Sequence, residues 1–131
     1  MHTSTPASNK EMGDRWPLEP MVEALLDLRP ESAGTWRHLG RVARCAVAFG
    51  KWLELDTYAV MTLQCGAMLH EVGKQLVPSE ILDKASPLNP DEWYALTKHS
   101  MLSGQILKAR AMPRSVALLA QSHHEWYNGG G

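Results

Sequence analysis

The chain has 131 residues, 44% of them hydrophobic, and a formal net charge of −1. This length can bury the core of one domain, and the near-neutral charge argues against a nucleic-acid duplex or an anionic membrane as partner. No apolar run approaches the roughly 18 residues of a membrane span, and the first residues lack the pattern of a signal peptide. We therefore expect a cytoplasmic protein.

The N-terminal part of the chain divides into a polar segment and a first helix. Residues 1–20 contain Thr, Ser, Asn and Pro without apolar periodicity, which predicts a disordered leader ahead of a domain over residues 21–131. From Met21 to Leu28 apolar residues recur at helical spacing. Pro30 ends this helix because proline disfavours the helical conformation in the residue before it.

Two further helices are predicted before the middle of the chain. The longer one extends from about Thr35 to Leu53, and Gly50 is a weak point in it because glycine is a poor helix former. Asp56 is a suitable N-cap for the next helix, which extends from Thr57 to His70.

The second half of the chain continues as helices with clear boundaries. The segment from Gly73 to Pro78 breaks the preceding helix, and a short helix is predicted over Ser79 to Leu82. Asn89 is followed by proline and two acids, the pattern of a helix start, and this helix should extend to about Ala109. A last helix begins near Pro113. No strand pattern of useful length occurs, so we predict an all-α bundle of five to six helices.

Five of the six histidines form the most informative pattern in the chain, together with one glutamate. They are His38, the pair His70-Glu71, His99, and the doublet His123-His124. Neutral imidazoles and a carboxylate are ligands that iron, manganese and zinc favour. A lone histidine on a helix is more often an ordinary core or surface residue, so the prediction of a metal site depends on the whole set.

The two pairs of adjacent residues favour two metal ions over one. Neighbouring residues on a helix point about 100° apart, so each pair suits two ions side by side better than one ion bound twice. A carboxylate has two oxygens and can bridge such ions, which an imidazole cannot do. Two ions about 3.5–4 Å apart can activate a water molecule and hold the oxygens of a phosphoryl group.

Five short motifs resemble those of the HD-GYP family of the HD metal-dependent phosphohydrolase superfamily. They are H-x-x-R-V from His38, H-E-V-G-K from His70, Pro78-Ser79-Glu80-Ile81-Leu82, K-H-S-x-x-x-G from Lys98, and H-H-E-x-x-x-G-x-G from His123 to Gly131. They cover residues 35–131 in the family's order and with similar intervals. One motif alone would be a weak signal, whereas the ordered series is a strong one.

The resemblance implies a helical bundle of the HD-domain type and a bacterial signalling enzyme. Such an enzyme is a phosphodiesterase that hydrolyses cyclic di-GMP to pGpG or GMP. It uses two divalent metal ions, iron or manganese first, with zinc, nickel and magnesium as further candidates. By position, His38 and His70 would bind one ion, His99, His123 and His124 the other, and Glu71 would bridge both. Lys74 resembles the family lysine that contacts the phosphate, where its ammonium would offset charge on the scissile group.

The chain departs from the family pattern at three places. Glu71 replaces the family's aspartate, so the carboxylate lies one methylene further from the backbone. Gly34 occupies the place of a glutamate that family members with three metal ions have, so two metal ions are expected in this chain. The chain ends at Gly131, before the Tyr-Pro of the family name and a late aspartate ligand of the first metal. We therefore expect a domain lacking its C-terminal part, with one tight and one loose metal, uncovered apolar faces and a tendency to form homo-oligomers.

Two other functions remain open from the sequence. The first alternative to the phosphodiesterase is a degenerate, catalytically weak regulatory module that binds the dinucleotide or a signalling partner such as a diguanylate cyclase domain. The second is a different HD-type phosphohydrolase that acts on a nucleotide or phosphomonoester. Glu71 and the missing C-terminal part support the first alternative. The H-H-E-x-x-x-G-x-G run argues against the second.

Overall fold

The structure is a computed structural model that describes residues 18–27 and 33–131. Within these ranges the chain forms α1 (Leu18–Asp27), α2 (Ala33–Trp52), α3 (Thr57–Leu69), a 3-10 helix (Val72–Leu76), α4 (Ser79–Leu82), α5 (Pro90–Thr97), α6 (His99–Ala109) and α7 (Arg114–Gln121). Neither range contains a strand, so the predicted all-α class is confirmed.

The first helix begins earlier in the chain than the sequence pattern predicted. The first helix begins at Leu18 and not near Met21, so the last three residues of the predicted leader are helical. The rest of that leader and the predicted helix end at Pro30 lie outside the described residues.

Two of the predicted helix starts are confirmed in atomic detail. The Asp56 carboxylate accepts a hydrogen bond from the Ala59 amide at 2.8 Å and caps α3. Asn89 and Glu92 form a reciprocal capping box, in which each side chain accepts a hydrogen bond from the other residue's backbone amide. Both arrangements use donors that a helix start leaves without an internal partner, which explains why a short local pattern predicts them.

The helix predicted from Asn89 to Ala109 is divided at Lys98 into α5 and α6. Two side chains that follow the break contact the last backbone carbonyls before it. The His99 ring donates to the Leu96 carbonyl at 2.6 Å, and the Ser100 hydroxyl approaches the Thr97 carbonyl at 3.4 Å. Because such side-chain bonds offer the backbone an alternative to helical hydrogen bonding, the prediction of one continuous helix was wrong. The break places His99 at the start of α6.

The helices pack around one apolar cluster that α1, α3, the 3-10 helix, α6 and α7 share. Its buried members are Ala24, Cys65, Leu69, Val72, Leu107, Met112, Val116, Ala117 and Ala120. The helix α2 packs mainly on α3, and α7 contacts both α3 and α6. Across residues 18–27 and 33–131, every helix is too short or too polar to cross a membrane.

Gly50, predicted as a weak point, has a packing role between α2 and α3. A Cβ atom at this position would lie 2.9 Å from Leu63 Cδ1 and 3.3 Å from Val60 Cγ2. The absence of a side chain therefore lets the two helices approach closely, which offsets the poor helix propensity of glycine.

Gly73 makes the closest contact between the 3-10 helix and α6. A Cβ atom on Gly73 would clash with the carbonyl oxygen of His99 and lie 2.7 Å from the backbone nitrogen of Ser103. Both obstacles are backbone atoms, which cannot move without moving the helix. The contact joins the segment after His70 and Glu71 to the first turn of α6.

We predict that Gly73→Ala lowers the free energy of unfolding by about 1–3 kcal/mol or more, as expected for overpacking against rigid neighbours. Gly40→Ala is the matched control. Gly40 lies inside α2, and a Cβ there would meet only the Arg44 guanidinium at 3.8 Å. This change should raise stability by up to about 1 kcal/mol because alanine is the better helix former. Urea denaturation of both variants measures the difference, and equal effects would contradict the packing role.

Candidate metal centre

The candidate ligands lie where helices begin or end. His70 is the C-cap of α3, and Glu71 follows it directly before the 3-10 helix. His99 is the first residue of α6, while His123 and His124 follow the end of α7. The fold thus brings together three separate chain segments. His70 and His99 are buried, Glu71 and His123 are half-buried, and His124 is exposed.

Backbone carbonyls orient three of the imidazole rings. In each case Nδ1 lies at hydrogen-bonding distance from the carbonyl oxygen three residues earlier: His70 from Ala67 at 2.8 Å, His99 from Leu96 at 2.6 Å, and His123 from Ala120 at 2.7 Å. A carbonyl oxygen can only accept, so Nδ1 must carry the proton. In a neutral ring this leaves a lone pair on Nε2, the arrangement typical of metal-binding histidines.

The free nitrogens of these rings converge. Nε2 of His99 lies 3.2 Å from Nε2 of His123 and 3.2 Å from Nε2 of His124. Unprotonated nitrogens at this distance repel one another unless one of them carries a proton or a metal ion lies among them. Three imidazole nitrogens that converge in this way are a donor set suited to a metal ion.

The Glu71 carboxylate completes the cluster. Its Oε1 lies 3.7 Å from His70 Nε2, 3.6 Å from His99 Nε2 and 3.7 Å from His123 Nε2. Ligand atoms of Glu71, His99, His123 and His124 all lie within 4.8 Å of one another. Two ligands bound at about 2.0–2.2 Å to one ion lie at most about 4.4 Å apart, so a small contraction would suffice. These four residues fit a divalent metal ion.

The two remaining candidate ligands are not part of this group. The ring centre of His70 is 4.8 Å from that of His123 and 5.6 Å from that of His38. His38 is exposed on α2. The structure therefore brings His38 next to His70 but not into the four-residue group.

The electrostatics keep Glu71 ionised. Burial raises the pKa of this carboxyl, but the imidazoles of His123 and His99 and the ammonium of Lys74 outweigh burial and hold the pKa well below its usual range. Lys74 forms an ion pair with Oε2, the oxygen that does not face the imidazoles. Glu71 thus offers one oxygen to the histidines and the other to a cation.

Burial has the opposite consequence for two of the imidazoles. It is the main cause that lowers the pKa of His70. His124 is exposed, but partial desolvation of its ring also lowers its pKa, and the neighbouring histidines add to the effect. A lowered pKa favours the neutral ring, and the neutral ring is the form that binds metals.

Sequence reasoning missed one residue that connects the ligand-bearing segments. Ser103 is fully buried in α6, and its hydroxyl lies 2.8 Å from the Gly73 amide and from the carbonyls of His70 and His99. The K-H-S-x-x-x-G motif includes this position without specifying it. Its spacing of four residues from His99, on the same face of α6, was the available signal.

Comparison with known proteins supports a phosphohydrolase family. Residues 20–131 match the family model of the HD domain. The chain is similar to 3'3'-cGAMP-specific phosphodiesterase 3 of Vibrio cholerae, with 33% identity over 78% of this chain and 22% of the relative. It is also similar to cyclic di-GMP phosphodiesterases of Borreliella burgdorferi (30%, 72% of this chain, 25% of the relative) and Xanthomonas campestris (31%, 75% and 26%).

The chain spans about a quarter of the length of these curated relatives. The family model, in contrast, covers nearly all of the described residues, including every candidate ligand. The chain therefore belongs to the HD-domain phosphohydrolase family, as its motifs predicted.

Proposed function

We propose that this chain is the metal-binding part of a bacterial cyclic di-GMP phosphodiesterase, with one HD-type domain over residues 21–131. The observation that carries the proposal is the convergence of Glu71 with the Nε2 atoms of His99, His123 and His124 within 4.8 Å. The names of the relatives support the substrate class, because those cited above act on cyclic dinucleotides.

The proposed ligand sets follow the sequence prediction. His99, His123 and His124 would hold one divalent ion, His38 and His70 the other, and Glu71 would bridge the two. Iron or manganese is our first choice, and zinc, nickel or magnesium would suit the same donors. When bound, such a pair supplies an activated water and charge stabilisation for cleavage of a phosphodiester.

The remaining chemistry belongs to the chain's own side chains. Lys74 lies beside Glu71 with its side chain 39% exposed, so its ammonium is within reach of an incoming phosphate. There it would offset charge that develops on the scissile group. The carbonyl-anchored rings would keep the Nε2 atoms fixed during turnover and so limit reorganisation.

A second candidate is a regulatory module that binds the dinucleotide or a signalling partner, such as a diguanylate cyclase domain, with little turnover. The position of His38 favours it, because this ligand is exposed and lies outside the compact group. Exposed apolar side chains, among them Phe49 and Trp52 stacked on α2, are compatible with the proposed partner or with homo-oligomers.

The proposal is tested on anaerobically purified protein. Metal content per chain is measured, and hydrolysis of cyclic di-GMP and 3'3'-cGAMP is followed on the same sample with added Mn²⁺ or Fe²⁺. We expect bound metal and release of pGpG from cyclic di-GMP. Bound metal without turnover of either substrate would favour the regulatory module. A protein that binds no metal and turns over neither substrate would contradict the phosphodiesterase and leave the regulatory module.

We predict different effects for two histidine variants. His99→Ala removes the nitrogen that faces both His123 and His124. Loss of an outer hydrogen-bonding partner of a ligand typically lowers metal affinity about 10–100-fold, and loss of this ligand should lower the affinity for the tighter metal ion by at least as much. His38→Ala should leave that metal in place and remove the weaker one. Metal titration by calorimetry measures both constants, and equal losses in the two variants would contradict the proposed division of ligands.

We predict that Lys74→Met lowers kcat by about 10²–10³ while metal content stays at the wild-type level, because one charge-stabilising donor is lost. Lys108→Met is the matched control. Lys108 is exposed on α6 and contacts Gln121 at 3.5 Å, so its loss should leave turnover unchanged. Turnover that survives in Lys74→Met would remove this lysine from the proposed chemistry.

A further inference from the structure

Ser103 has an unusual environment for a serine inside a helix. Its side chain is fully buried in α6, and its Oγ has three polar neighbours, each at 2.8 Å. The Gly73 amide donates to it. The carbonyl oxygens of His70 and His99 both lie in reach of its single proton, which it donates to one of them at a time.

These contacts join the two chain segments that carry the buried ligands. His70 is the C-cap of α3, where the last carbonyls of a helix lack internal partners, and the Ser103 hydroxyl offers a donor to this one. The Gly73 amide lies two residues after Glu71 and donates to the same oxygen. One hydroxyl therefore contacts the backbone on both sides of Glu71.

The same hydroxyl also contacts the backbone of a ligand on its own helix. His99 lies four residues before Ser103, and its carbonyl is one of the two acceptors. The close contact of Gly73 with α6 limits how near the two segments can come. It does not fix their register. The hydrogen bonds set the register between them, because their strength depends on direction as well as distance.

We infer that Ser103 is a positioning residue of the metal centre, which fixes the segment of His70 and Glu71 relative to His99. The inference rests on the proposed function, since it concerns the same ligands. Loss of the hydroxyl leaves the ring anchors of His70 and His99 intact, because those bonds go to Ala67 and Leu96. Without the hydroxyl, the distance between the rings of His70 and His99 is no longer fixed, and the metal affinity falls.

The test compares Ser103→Ala with the wild type by titration with Mn²⁺ and Co²⁺. We expect metal affinity to fall by about 10–100-fold, the range for partners that orient metal ligands, and the visible absorption bands of bound Co²⁺ to shift. Ser103→Thr keeps the hydroxyl but adds a methyl group at a fully buried position. It should restore affinity and the Co²⁺ spectrum while its Tm is lower, which separates positioning from stability.

Ser115→Ala is the matched control. The Ser115 hydroxyl is also buried, on α7, but it has no hydrogen-bond partner among the described residues. The same chemical change there should leave metal affinity at the wild-type value. If Ser103→Ala does not fold, Ser103→Cys replaces it in the comparison, and a fall in affinity is again expected because a thiol is only a weak hydrogen-bond donor and acceptor.

The outcomes separate this inference from the proposal on which it rests. A wild-type protein that binds neither Mn²⁺ nor Co²⁺ would overturn both. A wild-type protein that binds metal, with Ser103→Ala equal to it in affinity and Co²⁺ spectrum but lower in Tm, would overturn the positioning role alone and leave Ser103 as a purely structural residue.

Discussion

Three imidazole nitrogens that face one another need a proton or a metal ion among them, and helix ends hold them in this arrangement. His99 Nε2 lies 3.2 Å from the Nε2 atoms of His123 and His124, and the Glu71 carboxylate adds negative charge beside them. Two of the contributing segments follow the C-terminal ends of α3 and α7. The partial negative charge of a helix C-terminus also favours a cation.

The features that sequence predicted well are those with local causes. The caps at Asp56 and Asn89 depend on a side chain and an amide three residues later, so a short pattern contains all the information needed. The break at Lys98 was missed although its cause is also local. The His99 ring takes the Leu96 carbonyl, and helix propensity alone gives no sign of that competition.

The site was predictable as a set of residues but not as a geometry. The five histidines and Glu71 could be selected from chemistry and resemblance, and the structure brings four of these six side chains within 4.8 Å. The exposure of His38 could not be predicted, because sequence spacing gives the face of a helix and not its depth. Ser103 was missed for a related reason, since its partners His70 and Gly73 lie 33 and 30 residues away.

Two kinds of contact thus determine the geometry of the cluster, and they control different quantities. Carbonyls within the same segment fix the rotation of three rings, those of His70, His99 and His123, and they do so wherever that segment lies. Contacts between segments, made by Gly73 and Ser103, join the segment of His70 and Glu71 to the start of α6, and we infer that they set its distance from His99. Metal coordination depends on distances to within a few tenths of an ångström, so correct ring orientation alone is insufficient. The extra methylene of Glu71 relative to aspartate gives the carboxylate a longer reach, so the backbone of Glu71 must lie further from the ions than the backbone of an aspartate ligand would.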